Sequence, residues 1–167
     1  MQELNEPWVR DKEYTKYTLW FIYACIIYRI IGFSWGALMG GIPAFRQIVD
    51  SGVHGHRIVL AHTHINLLGW VEMAIFGAIY YLVPRLVRRS IYSMRLVKIH
   101  FWTHNFGLLG VVVFFTASGL TGVYLDGGED AASHFMALGG SFGGLVLLAN
   151  LIWGYNLYRT CSGWEKQ

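Results

Sequence analysis

Two histidines one residue apart, His62 and His64, open an apolar run that ends at Arg85 and carries one acid, Glu72, near its middle. Side chains two apart on a helix point about 200° away from each other, so the two imidazoles face different neighbours. In hydrocarbon an ionisable group is costly, and each of the three needs a partner, a ligand or a water-filled cavity. Iron or copper is the commonest reason to place neutral imidazole in such a setting. The other histidines are His54, His56, His100, His104 and His134. His100 and His104, four apart, share a helical face, a spacing that can bind metal, but His100, nearer the inner interface beside Phe101 and Trp102, reads as a hydrogen-bonded structural histidine rather than a ligand.

Membrane helices have to position these groups. The chain has 167 residues, is 54% hydrophobic and 14% charged, and has a mean hydropathy of +0.40. A soluble domain carries nearer a quarter charged residues. Four apolar segments, at about 18–44, 57–84, 91–125 and 131–157, each reach the ~20 residues that a spanning helix needs. Little remains for a soluble domain, and open strands are excluded in lipid. The expected fold is therefore all-α: a single four-transmembrane-helix bundle occupying residues 1–167.

Arg85, Arg88, Arg89, Arg95 and Lys98 surround the second loop, whereas the third carries Asp126, Glu129 and Asp130. Retention of basic loops inside predicts both termini cytoplasmic. The hydrophilic start, residues 1–16, has no apolar core or small-residue cleavage site of its own, so no removable signal peptide is expected. Cys25 lies within the first helix and Cys161 in the inner tail, which argues against a disulfide. A pI near 8.9 follows from the basic loops and is not read as nucleic-acid binding.

Depth then sorts the polar groups. The second and fourth helices both begin outside, which brings His62, His64 and His134 near the outer face. A haem held by two imidazoles needs both at one level, and His134 is the best-placed partner for His62 or His64. On the third helix the level of His64 falls near Val112, about 12 Å from His104. His104 instead approaches Arg29 and Glu72, which predicts a midplane polar or proton-carrying cluster of Arg29, Glu72 and His104, with an Arg29–Glu72 ion pair as one version. Arg57, near the outer boundary, is positioned either to neutralise a haem propionate or to anchor at the interface. His54 and His56 fall in the outer loop. Gly36 with Gly40, and Gly139 and Gly140 with Gly143 and Gly144, have the small-xxx-small spacing of close helix packing.

The series His62-Thr63-His64 with Gly69-Trp70, Gly77 through Arg85, Ile91 through Val97, and His100-Phe101-Trp102 resembles the catalytic subunit of C-type haem-copper oxidases. His54 matches a loop histidine of that family, and Ala137-Leu138-Gly139-Gly140 and Tyr155 through Thr160 resemble its last helix and exit. The resemblance spans nearly the whole chain but only the last four helices of the family's subunit. It implies that His62 takes the role of axial ligand to a high-spin haem and His64 that of ligand to a low-spin haem. The family's copper ligands and remaining haem ligand lie on earlier helices, so the resemblance carries no complete oxygen-reducing centre. Glu72, His104 and His134 depart from the family pattern.

These readings converge on an integral membrane protein of a bacterial or archaeal cell membrane that binds haem b, one or two per chain or shared between chains. Its iron would sit near the outer face on His62 or His64 and His134, a pairing suited to electron transfer with a redox partner. One alternative is a five-coordinate haem that binds or reduces oxygen or nitric oxide; another is a cofactor-free accessory or assembly subunit. Besides the lipid bilayer, the expected partner is a second copy, in a homo-oligomer of two or three chains.

Overall fold

A computed structural model describes residues 11–125 and 128–162; residues 1–10, on which the signal-peptide reading partly rests, and Asp126 of the third loop lie outside the described residues. Asp11 caps the first helix, α1 (Lys12–Gly41), by accepting from Glu13 N at 2.8 Å. The helix therefore starts at Lys12 rather than near residue 18. It stops at Ile42, whose extended backbone (φ −105°, ψ 116°) is what a following proline favours. Pro43 then opens the short α2 (Pro43–Val49), where its missing N–H costs nothing. Gly52, at φ +68°, turns the chain into the second span, a conformation glycine adopts without a Cβ penalty.

That span runs without interruption as α3 (Val53–His64), a π-helical turn (Ile65–Val71) and α4 (Glu72–Leu86). Because it begins at Val53 rather than near 57, His54 and His56 occupy a first helical turn and not a loop. Ser93 caps α5 (Met94–Tyr124) by accepting from Leu96 N at 3.4 Å, and α6 (Glu129–Cys161) completes the bundle. Among the described residues four helices are long and apolar enough to cross a membrane and the regular structure is all helical, and the protein is an integral membrane protein.

α1 runs antiparallel to the second span. Tyr14 Oη donates to Tyr80 O at 2.7 Å, Phe21 meets Phe76 edge-on at 6.0 Å, and Tyr28 lies across Gly69. Phe21, Met73, Phe76, Tyr80 and Leu108 form the buried core between α1, α4 and α5. On the other side of α5, Phe142 of α6 covers Gly110 and Phe115 covers Gly139. Asn156 of α6 holds the loop before α5 by accepting from Ser93 N (3.0 Å) and donating to Ser93 O (3.1 Å). Thr160 Oγ1 accepts from Tyr92 N at 3.0 Å. Cys25 and Cys161 are free thiols.

Gly69 matters because a Cβ there would stand 2.7 Å from Tyr28 Cγ and 3.1 Å from Leu108 Cδ2. Gly69→Ala is expected to destabilise the bundle by roughly 1 kcal/mol, the lower end of overpacking costs, since the Tyr28 ring can shift. Unfolding in mixed micelles would measure it.

Candidate functional site

His62 and His64 stand on the last turn of α3 and face different helices. The His62 ring lies against Gly36, where a Cβ would come 3.0 Å from its Cε1, and meets Trp35 edge-on at 6.2 Å. The His64 ring turns toward α5 and meets Phe115 edge-on at 5.3 Å. Both are half-buried. A single flat macrocycle could not use both as its two axial ligands.

Their hydrogen bonds differ as well. His64 Nδ1 lies 2.7 Å from Leu60 O and donates to it, which leaves the Nε2 lone pair free. For His62, Asn66 Nδ2 donates to the backbone O at 2.9 Å and stands 3.3 Å from ring Nδ1. Asn66 was not singled out from the sequence, although its four-residue offset from His62 puts the two on one face.

His134 sits in the first turns of α6, exposed, with Nδ1 donating to Asp130 O at 2.7 Å and Nε2 again free. The neighbouring Phe135 stacks on Phe114 at 6.2 Å, one residue from the Phe115 that touches His64. His134 itself, two positions on from the buried Ala132, is exposed on another side of α6, so the fold does not bring it against His64 within one copy.

Haem binding calls for imidazoles with a fixed tautomer and a free ring nitrogen, ideally with the other nitrogen bonded to a carbonyl. The donor sets of His64 and His134 fit that requirement. Among the described residues no three His, Cys, Asp or Glu side chains gather as a metal-binding group. A haem needs only one or two imidazoles from the chain.

Arg57 does not stand free for a propionate. Its side chain is only 12% exposed, donates to Glu129 Oε1 at 3.1 Å and lies 3.4 Å from His54 Nδ1. His54 Nε2 in turn is 3.3 Å from Glu129 Oε2, and its ring lies over Gly122. These three residues tie the starts of α3 and α6 to the end of α5. His56 is exposed.

The midplane cluster divides. Glu72 and His104 do meet, with Oε2 to Nε2 at 3.7 Å. Arg29 does not join them: it is exposed on α1, with its guanidinium over the rings of Trp70 (5.0 Å) and Phe33 (5.5 Å). The ion pairs among the described residues are His54–Glu129, Arg57–Glu129, Lys98–Glu13 and His104–Glu72, so the expected Arg29–Glu72 pair is absent within one copy. The physical reason is rotational. Arg29 follows Tyr28, which fills the α1 interface, and so points along the bundle's outer side.

His104 has a partner that sequence could not foretell. In the π turn Glu72 N donates to Leu67 O, five residues back, where an α-helix would use Leu68 O. The carbonyl passed over in this way, Leu68 O, accepts from His104 Nε2 at 3.0 Å. His100, one turn along α5, is fully buried and shares a 3.0 Å hydrogen bond between Nδ1 and Tyr80 Oη.

Comparison with known proteins places this geometry. A family model described as cytochrome c and quinol oxidase polypeptide I matches residues 8–146. The chain is 33% identical over 139 residues to the bacteroid cytochrome c oxidase subunit 1 homolog of Bradyrhizobium diazoefficiens, covering 72% of this chain and 25% of that protein. It is 32% identical over 155 residues to cytochrome c oxidase subunit 1 of Rhodobacter capsulatus, covering 81% and 28%. It is 36% identical over 95 residues to the heme-copper oxidase subunit I+III of Aeropyrum pernix, covering 57% and 11%. The matched stretch thus spans about a quarter of the length of the first two relatives. With four membrane-crossing helices and a match that enters every one of them, the chain belongs to the cytochrome c and quinol oxidase polypeptide I family, subunit I of the haem-copper oxidases.

Proposed function

We propose that this chain is a membrane b-type haem protein that passes electrons to or from a redox partner. His64 holds the iron toward the end of the bundle opposite the basic loop, which the charge distribution assigns to the outer face, and the partner's His134 supplies the second imidazole, so that the haem is shared between chains. The observation that carries this reading is the 2.7 Å bond from His64 Nδ1 to Leu60 O, which fixes the tautomer and leaves Nε2 available. Membership of a haem-copper oxidase family supports a haem cofactor. A bound haem would supply one-electron chemistry; the residues that would hold it are two imidazoles, a donor set that favours electron transfer over gas binding.

One observation favours a second reading. On the α1 side the neighbours of His62 are Trp35, Gly36 and Asn66, none of which ligates iron. A haem held there would keep an open position for oxygen or nitric oxide. Glu72 and His104 would then be the nearest deeper proton carriers.

Oxidised and reduced optical spectra of the purified protein, with haem counted per chain, separate these readings. Sharp low-spin bands that His134→Ala converts to a high-spin, carbon monoxide-sensitive spectrum support the first. A wild-type spectrum already high-spin and unchanged by His134→Ala supports the second. Absence of haem after expression with ample haem supply overturns both and leaves a structural subunit.

A further inference from the structure

Arg29 presents an unresolved cost. It lies near the middle of α1, twelve residues from Gly41, and is exposed on the outer side of the bundle. Snorkelling cannot relieve it, because that end of the helix is about 18 Å away at 1.5 Å per residue. The Trp70 and Phe33 rings beneath it attract a cation but do not neutralise it. A bare guanidinium at this depth calls for an acid supplied from outside the copy.

The chain itself carries one that fits. Among the described residues Arg29 and Glu72 are the only formally charged side chains more than about two turns from both ends of their spans. Glu72 is 25% exposed in its side chain; its Oε2 is buried 3.7 Å from His104 Nε2, and Asn150 of α6 hydrogen-bonds the carboxylate, so the exposed part of the group is what a second copy would meet. The pairing of Tyr28 with Gly69 and of Phe21 with Phe76 sets the two residues about four positions apart along the bundle axis. That offset is about 6 Å, within the combined reach of the two side chains.

Their lateral placement is complementary. Leu67, Val71, Ile75, Ala78 and Leu82 form an exposed stripe along the second span. Trp70, under Arg29, flanks the stripe on the α1 side, and Glu72, beside His104 of α5, flanks it on the other. A two-fold axis along the membrane normal turns one stripe to face its copy and keeps every residue at its own depth. It also sets the left flank of one copy against the right flank of the other.

We infer that a second copy of this chain docks across this stripe as a parallel two-fold dimer, in which Arg29 of each copy pairs with Glu72 of the other. The inference makes the expected homo-oligomer specific. It rests on the four-helix membrane fold and not on the haem reading.

The test is disulfide crosslinking in membranes, in a Cys25→Ser, Cys161→Ser background, with two differently tagged copies co-expressed. Arg29→Cys in one copy and Glu72→Cys in the other are expected to crosslink, and such a dimer retains the second native pair. Arg29→Cys with itself, or Glu72→Cys with itself, is not. Val71→Cys, near the two-fold axis, is expected to crosslink with itself while both charges stay native, so this arm survives if the charge variants fold poorly. Native mass spectrometry should read two chains, and Arg29→Gln should raise the dimer dissociation constant about tenfold or more. The Arg29→Glu, Glu72→Arg swap should restore it. A single-chain mass without Val71→Cys crosslinks, capture of Arg29 by a different polypeptide, or the homotypic crosslink pattern overturns the proposal. Because crosslinks form with or without haem, a failed haem assay leaves this result intact.

Discussion

Replacing His64 with alanine is expected to remove the low-spin haem spectrum, while His62→Ala leaves it in place. The two imidazoles are near neighbours in sequence but open onto different helices, His64 onto Phe115 and His62 onto Trp35, so loss of one does not expose the other. Groups that hydrogen-bond to metal ligands typically contribute ~10–100-fold in affinity, and removal of the ligand itself should exceed that. Haem per chain by the pyridine haemochrome assay, with the reduced spectrum, measures the effect. Loss of haem from His62→Ala, with His64→Ala unaffected, would transfer the iron to the α1 side and bring forward the five-coordinate reading.

His104→Leu should produce the largest loss of stability among single substitutions in the buried polar set, roughly 1–3 kcal/mol, the usual cost of an unsatisfied buried group. The ring is fully buried, and its Nε2 donates to the carbonyl that Glu72 N passes over in the π turn. Leucine would fill much of the volume but leave Leu68 O without that donor in a buried setting. Transmembrane hydrogen bonds often measure less than this, about 0.6 kcal/mol on average. The higher expectation here reflects a carbonyl that its own helix has given up. Unfolding in mixed micelles measures the loss, and hydrogen exchange at the Glu72 and Met73 amides reports whether the turn relaxes to α geometry. His104→Gln keeps a donor and should recover part of the stability. The haem spectrum should be unchanged in both.

Much of this molecule was legible in its residues. Twenty or more apolar positions in a row can cross a bilayer only as helix, so the four spans followed from hydropathy alone. Their ends moved for local reasons: Asp11 caps α1 before its apolar part begins, and Gly52 starts the second span ahead of His54. The divergence of His62 and His64 followed from helical spacing, and the greater depth of His104 from counting residues. Family resemblance implied haem-ligand roles for the pair but carried nothing about Glu72, His104 or His134.

Rotation was not legible. A span that must meet lipid on one side and other helices on the other is apolar all round, so its pattern marks no inner face. Depth matching could therefore set Arg29 and Glu72 at similar levels without showing that they point to opposite flanks of the second span. The π turn was hidden for the same reason, since Ile65–Val71 reads as ordinary apolar helix and one shifted hydrogen bond leaves no trace in composition. Arg57 likewise looked available until α6 brought Glu129 to it. The sequence by itself determined the element type, the number of spans and the depth of each polar group, because the bilayer imposes those one helix at a time. Only the tertiary structure decided which groups meet, because that depends on how each helix turns against its neighbours.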